Sequence, residues 1–314
     1  MRNLVAVVVA LPWVVWAVVR TLGLELPYPF VAMLAFTPYV ALLSPVPVVA
    51  ALLLRRWAVA GVAAVAMLAF SVALVPRAFG GPDPQASGPR LVVMTSNLYL
   101  GQADARAVLR IAREHDVDVL SVQELRPGLA RKLDRAGAKA LFPDRVLDPR
   151  ERASGSGVFS RTPLEVVDTS PNRQGHAEPE VSLTVAGAPL VRIKAVHPAP
   201  PVNPRAAPLW RGALAALPSS DGRGDVQILA GDFNATLDHP ELRGLLDRGY
   251  TDAADAAGGG LTWTWPARRR TRALPLTIDH ILVDKRVEVE KVTVVRVPGS
   301  DHRAVIAVLR LPRT

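Results

Sequence analysis

The sequence predicts a mixed-sheet α/β sandwich behind a membrane-embedded N-terminal region. Three observations carry this reading: an almost wholly apolar first 80 residues, a change to mixed and charged composition after Arg90, and alternating strand-like and helix-like runs from there on. Strands outnumber helices and include both crossover and hairpin connections, a pattern that a purely parallel doubly wound sheet would not show.

The apolar region divides into three stretches. Residues 4–19 form the first, extended to Leu24 if Arg20 snorkels to the headgroups. Residues 30–54 form a longer one, and its Pro38, Pro45 and Pro47 predict a kink or break. Residues 57–75 approach the ~20 needed to cross the hydrocarbon. A cleaved leader is the rival reading of the first stretch, because Arg2 precedes it. Two further stretches and the lack of a small-residue cleavage site favour three retained spans. Arg55-Arg56 lies in the tight connection between the second and third stretches, so placing it and Arg2 in the cytoplasm puts everything after Arg77 outside. Arg20 and Arg77 count against this orientation. The expected location is therefore the cell membrane, multi-pass, with an extracytoplasmic globular part.

Residues 80–89 have the Gly, Pro and Ser content of a linker and mark the domain boundary, leaving 90–314 as one globular domain. Residues 90–96 read as a buried strand; Val108, Leu109, Ile111 and Ala112 set a helical period over 103–115; 117–122 is a second short β-branched run. Residues 181–185 and 190–196, separated by Ala186-Gly187-Ala188-Pro189, read as a hairpin. A helix over 205–217 leads to a buried strand at 226–230, and strands at 277–283, 287–297 and 304–309 close the chain.

The formal net charge is +9; residues 1–89 hold five Arg against Glu25 and Asp83, which leaves +6 for the remainder. Such a surface suits polyanions, acidic headgroups or phosphorylated substrates without choosing among them. The sequence has no cysteine, which excludes disulfides, thiolate metal sites and Cys nucleophiles.

Polar side chains recur at strand ends. Asn97 follows the first strand, Gln123-Glu124 the second, His197 the hairpin, and Asp232 and Asn234 the strand at 226–230. Strand ends are where an α/β scaffold gathers side chains from distant parts of the chain into one cleft. Singly, each has a structural explanation: Asn97 as a turn residue, Glu124 as a helix N-terminal acid, Gly231-Asp232-Phe233-Asn234 as an Asx-type turn. Together they offer several oxygen ligands, imidazoles and no sulfur, the donor set of a hard divalent cation and phosphate chemistry.

The motifs Thr95-Ser96-Asn97, Gln123-Glu124, Gly157-Val158-Phe159-Ser160-Arg161, His197-Pro198, Gly231-Asp232-Phe233-Asn234-Ala235, Ile278-Asp279-His280-Ile281 and Ser300-Asp301-His302 stand in one order. In that order the chain, over about residues 90–312, resembles the endonuclease/exonuclease/phosphatase superfamily, which includes DNase I-like nucleases, neutral sphingomyelinases and inositol polyphosphate phosphatases. The resemblance implies a four-layered α/β sandwich with two mixed β-sheets and a metal-dependent phosphoesterase. It implies that Glu124, with Asn97 and Asp301, holds Mg²⁺ or Mn²⁺, one ion or two. Asp279 would orient His302, Asp232 and Asn234 would position water and the scissile phosphate, and His197 would contact the phosphate and could protonate the leaving group. Either His302 or Asp232 would act as base. Thr277 replaces an Arg frequent in relatives and His280 a Tyr; His280 is expected to support the site rather than bind metal.

Substrate is marked most by Thr262-Trp263-Thr264-Trp265-Pro266 and the basic run Arg268-Arg269-Arg270-Thr271-Arg272. Trp263 and Trp265 can stack on a base or sugar, dip into a membrane interface, or simply pack in the core, while Arg268 and Arg270 attract phosphate. Compact connections and an anchored domain favour a lipid-linked or small phosphodiester, followed by a nucleic acid cleaved at the outer face; an inactive phospho-ligand-binding scaffold comes last. The bilayer, through the N-terminal helices, is the expected partner, with no obligate protein partner.

Overall fold

The computed structural model describes residues 1–81, 88–267 and 273–313. The chain opens with α1 (Arg2–Leu22), α2 (Phe30–Met33), a 3-10 turn (Leu34–Phe36), α3 (Thr37–Leu42), α4 (Pro45–Leu53) and α5 (Trp57–Leu74), closed by a 3-10 turn at Val75–Ala78. Two helical stretches, Arg2–Leu22 and Trp57–Ala78, are long and apolar enough to cross a membrane. Between them the prolines act as expected: Phe30–Leu42 and Pro45–Leu53 are bent by 53° at their break, and the bent pair, taken as one, is a third stretch long and apolar enough to cross. The irregular backbone there is satisfied by neighbours. Trp16 donates to Thr37 Oγ1 (2.9 Å), Thr37 Oγ1 donates to Leu34 O (2.7 Å), and Trp13 donates to Val40 O (3.0 Å). Ala6, Ala51 and Ala60 let α1, α4 and α5 approach closely.

The remainder runs β1 (Arg90–Asn97), α6 (Ala105–Glu114), β2 (Val119–Gln123), α7 (Pro127–Arg135), α8 (Ala138–Leu141), β3 (Asp144–Asp148), β4 (Ser156–Ser160), β5 (Glu165–Asp168), β6 (Glu180–Leu183), β7 (Val191–Val196), α9 (Ala206–Ala215), β8 (Val226–Asp232), α10 (Pro240–Asp247), β9 (Tyr250–Asp252), α11 (Ala253–Ala256), β10 (Asp279–Asp284), β11 (Glu288–Arg296) and β12 (Arg303–Arg310). Two six-stranded sheets form, in the orders β11-β12-β1-β2-β4-β3 and β5-β6-β7-β8-β10-β9. Each is mixed: β1 and β2 pair parallel, as do β7 and β8, and antiparallel strands flank both pairs.

The period-2 alternation of each strand builds the layers. Leu91 and Val93 meet Ile193, Ile228 and Ile281 between the sheets, while Val92 and Met94 turn outward to Val108, Leu109 and Leu129 of α6 and α7. On the far side Val196, Leu229 and Leu282 pack under Trp210 of α9 and Leu242 of α10. Helix, sheet, sheet and helix therefore stack as four layers. Residues 82–87 of the expected linker lie outside the described residues, but its flanks pack on the sandwich: Gly81 N–H bonds Ala256 O (2.9 Å), and Gly88 O accepts from Arg310 (3.3 Å).

Candidate active site

A parallel pair with antiparallel neighbours brings the C-terminal ends of β1, β2, β7 and β8 to the same rim as the N-terminal ends of β10 and β12. Asn97, Glu124, His197, Asp232, Asp279 and His302 all sit at those ends, and Asp279 lies directly opposite Asp232 in the β8/β10 register. Both sheets thus contribute to one site, and a buried polar ladder couples them beneath it. Thr95 Oγ1 donates to Gln123 Oε1 (3.2 Å), Gln123 Nε2 to Ser121 Oγ (3.0 Å), and Ser121 Oγ to Ala230 O of the other sheet (2.8 Å).

Backbone constraints aim the side chains. Glu124 and Asn234 adopt left-handed conformations, with φ of 56° and 48°, a strained choice for residues with a Cβ and one concentrated at functional sites. Gly231 is required for packing: a Cβ there would lie 1.9 Å from Val196 O, so β7 and β8 reach the rim side by side only with glycine at that position.

Glu124, His197, Asp232, Asn234, Asp301 and His302 line one cleft of about 500 Å³. Asn97 and Asp279 stand behind them. The Asn97 amide donates to Glu124 Oε1 (3.2 Å) and Asp232 Oδ2 (3.0 Å) while its Oδ1 accepts from Tyr99 N–H (2.9 Å), so it holds the two acids in register. Asp232 Oδ1 takes the Asn234 N–H (2.9 Å), and the Asn234 side chain donates to Pro198 O (2.9 Å). Asp279 Oδ2 accepts from His302 Nδ1 (2.9 Å), which leaves His302 Nε2 facing the cleft, 3.8 Å from Asp232 Oδ2. Thr264 Oγ1 fixes Asp279 by accepting its backbone N–H (3.1 Å).

Electrostatics follow from burial and crowding. Burial raises the Asp232 carboxyl, and the neighbouring Asp279 charge raises it further. Burial alone would lower His302, but the Asp279 and Asp232 carboxylates outweigh it and hold the imidazole above its ordinary value. His197 moves the other way: burial, then His176 and His302, depress it well below the ordinary histidine value. Burial lifts Glu124, and the Asp301 charge adds to this against hydrogen bonds from Leu100 and Asn97.

The donors fit a hard divalent cation. Glu124 and Asp301 repel each other without one, and Asp301 Oδ1 is buried with no hydrogen-bond partner, an acceptor suited to a metal. Asp232, Asp279 and His302 form a second compact group, one ligand atom from each lying within 4.8 Å of the others.

Trp265 also lines the cleft and donates to Asp301 Oδ2 (3.2 Å). Trp263 does not line it; its ring lies under the Arg303 guanidinium, 4.0 Å from the centroid. Arg268 and Arg270 lie outside the described residues. His280 is fully within the fold, bonded to Asp252 Oδ2 (2.7 Å) and Ala235 O (2.9 Å). The sequence reading missed His176, whose ring lies tilted with its centroid 5.0 Å from that of His197 and which bonds the His197 carbonyl through Nδ1 (2.9 Å), and the buried Glu178, which accepts the His197 N–H (2.9 Å). The only sequence signal for His176 was its residue type.

A four-layered sandwich with acids, amides and imidazoles converging on one rim is a metal-dependent phosphoesterase. The chain belongs to the Endonuclease/Exonuclease/phosphatase family, whose model matches residues 94–302. The fold is similar to an endonuclease/exonuclease/phosphatase from Beutenbergia cavernae (18% identity, TM-score 0.54, covering 71% of this chain and 72% of that one). It is also similar to D. rerio TDP2 complexed with a single-strand DNA product (15%, 0.56, 70% and 99%) and to the 3′ phosphatase NExo from Neisseria bound to a product DNA hairpin (19%, 0.51, 69% and 98%). The comparison with curated proteins gives no match.

Proposed function

We propose that this chain is a membrane-anchored hydrolase that cleaves a bilayer-borne phosphodiester by attack of water, with α1, the bent pair and α5 as three crossings and the sandwich on the extracytoplasmic side. The observation that carries the reading is that Glu124, Asp232, Asn234, Asp301 and His302 line one cleft, with His302 Nε2 3.8 Å from Asp232 Oδ2.

Glu124 and Asp301 would hold Mg²⁺ or Mn²⁺, with Asn97 orienting Glu124, and the ion would supply charge neutralisation on the phosphoryl and leaving oxygens. Asp232, whose pKa burial and the Asp279 charge push up to about 7, acts as the ionised carboxylate and takes the proton of the attacking water as the new P–O bond forms. Asn234 positions that water. His302, held charged by Asp279, donates from Nε2 to a phosphoryl oxygen as the bond to the leaving oxygen breaks. His197 stays neutral and contacts the phosphate as a hydrogen-bond donor, and the leaving oxygen takes its proton from solvent.

A nucleic-acid substrate is the second reading, favoured by the DNA products in two of the similar structures. The test is hydrolysis by full-length protein in phosphatidylcholine nanodiscs, with and without EDTA. Metal-dependent turnover that Glu124→Ala lowers by orders of magnitude, with folding retained, is expected. Full activity in EDTA refutes the cation, and turnover of DNA oligonucleotides alone replaces the bilayer-borne substrate with the second reading.

A further inference from the structure

One wall of the cleft does not come from the sandwich. Ala32 of α2 and Ala35 of the following 3-10 turn line it together with Glu124, Asp232 and His302. Spaced three residues apart, they share one helical face, and their side chains are small. Val202, Leu276 and Ile278 continue the apolar lining from the sandwich side. The segment's other side is lipid-like in character, since Phe30 and Met33 are exposed. The segment therefore presents Ala32 and Ala35 to the cleft and exposed apolar side chains elsewhere.

This wall is fixed to the chain segment that carries Asp232 and Asn234. Thr236 N–H donates to His239 Nδ1 (2.9 Å), so His239 carries its proton on Nε2 and donates it to Val31 O (3.0 Å), next to Ala32. Asp238 is buried and accepts from Arg20 (3.0 Å) and from both terminal nitrogens of Arg77 (3.0 and 2.9 Å), at the sandwich-side ends of α1 and α5. On the opposite side Tyr39 donates to Pro275 O (2.7 Å), beside Leu276. The membrane segment is thus held at hydrogen-bond distance on both flanks of the site.

Charge selects among ligands. Among the described residues no Lys or Arg lines the cleft, and the cationic groups in that described lining are histidines. A nucleic-acid strand needs basic side chains tracking its successive phosphates. A lipid carrying a single phosphodiester needs only the rim for its phosphate and an apolar path for its chain.

We propose that Ala32 and Ala35 seat the first part of a hydrocarbon chain, so that the substrate is a lipid phosphodiester whose chain runs from the rim along the broken second membrane segment into the bilayer. The proposal rests on the rim being the hydrolytic site and specifies what that rim accepts.

Two probes with one reacting centre test it: hexadecyl p-nitrophenyl phosphate and ethyl p-nitrophenyl phosphate, hydrolysed by full-length protein in phosphatidylcholine nanodiscs. Partition into the bilayer is the same for every variant, so the ratio of kcat/KM for the two esters, compared between variants, reports the seat alone. Ala32→Trp and Ala35→Trp, made separately so that one misfolded variant does not end the test, should each lower the hexadecyl-to-ethyl ratio at least tenfold. A ratio unchanged within twofold in the folded variants overturns the seat while leaving a bilayer-borne substrate standing. Wild-type protein that cleaves the ethyl ester but not the hexadecyl ester overturns both. Failure to cleave either, with DNA cleaved in the same nanodiscs, removes the lipid reading at its base.

Discussion

Replacing His302 by alanine removes the imidazole whose Nδ1 donates to Asp279 Oδ2 at 2.9 Å and whose Nε2 faces the cleft. Asp279 is 1% exposed and its Oδ1 already lacks a partner, so the variant strands a second buried carboxylate oxygen. Leaving such a group unsatisfied costs about 1–3 kcal/mol. That is within the ~5–15 kcal/mol by which folded domains are stable, so the sandwich remains folded at a lower Tm. Activity falls much further, by ~10²–10⁴ for a positioned acid–base group. Asp279→Ala leaves His302 without the acceptor that selects its tautomer and holds its ring, so it too slows turnover. Because Asp279 reaches the phosphate only through His302, the double variant should lie within a few-fold of His302→Ala alone. The assay is kcat on the ethyl ester, normalised to folded protein, for both single variants and the double. Losses that multiply would show that the two residues act independently. Lower Tm with near-normal specific activity would show that the pair only packs.

Three further outcomes follow from the geometry. His280 presents both ring nitrogens to acceptors, Asp252 Oδ2 and Ala235 O; burial alone would depress it, yet Asp252 holds it above its ordinary value of 6.5. Its contribution to stability is therefore complete below about pH 6.5 and lost as pH rises through the higher folded-state value; thermal melts should show Tm falling over that window more in wild type than in His280→Asn, and parallel curves would contradict this. Asp238→Asn leaves the half-buried Arg20 and the buried Arg77 guanidinium groups without their counter-charge, which should lower stability by about 3–5 kcal/mol in chemical unfolding of the full-length protein, and a loss below 1 kcal/mol would show the triad to be incidental. Protease added to intact cells should cleave the sandwich; protection until the cells are permeabilised would reverse the proposed orientation.

The rim was legible because its residues stand at the ends of strands whose apolar alternation is strong: Asn97, Glu124, His197 and Asp232 where a strand finishes, Asp279 and His302 where one begins. Val92 and Met94 against Leu91 and Val93, or Leu229 against Ile228 and Ala230, mark both sheet faces without reference to tertiary structure. β3 and β9 gave no such signal. β3 is half-buried, with charged Asp144, Arg145 and Asp148 in five residues, and β9 has only three residues; as edge strands both take their alignment from a neighbour rather than from their own pattern. His176 was equally silent, because a loop brings it to the site, through Asn172 Oδ1 accepting the Gln174 and His176 N–H groups. Ala32 and Ala35 could not be singled out, since alanine inside an apolar stretch is what any membrane segment contains. Their place at the cleft depends on where the break after Met33 and the contacts of Val31 and Tyr39 put them.

Arg20 and Arg77 change meaning between sequence and structure. Counted as free charges at the ends of apolar stretches, they oppose an extracytoplasmic sandwich. In the fold both converge on Asp238, whose side chain is 1% exposed, so they are partners of a buried carboxylate rather than charges offered to the cytoplasmic headgroups. What remains to bias orientation is Arg2 and the Arg55-Arg56 pair, and the helices place these at the end of the bundle opposite Arg20 and Arg77. An ion triad around a buried carboxylate is a poor source of net stability, since desolvation offsets much of the attraction; what it supplies is geometry, because one carboxylate ties the ends of both helices to the same point. Asp238 lies four residues after Asn234, with His239 and its bond to Val31 beside it. The charges that fix how the N-terminal helices meet the sandwich therefore lie on the same segment as Asp232 and Asn234, so the N-terminal region is packed against the cleft rather than separate from it.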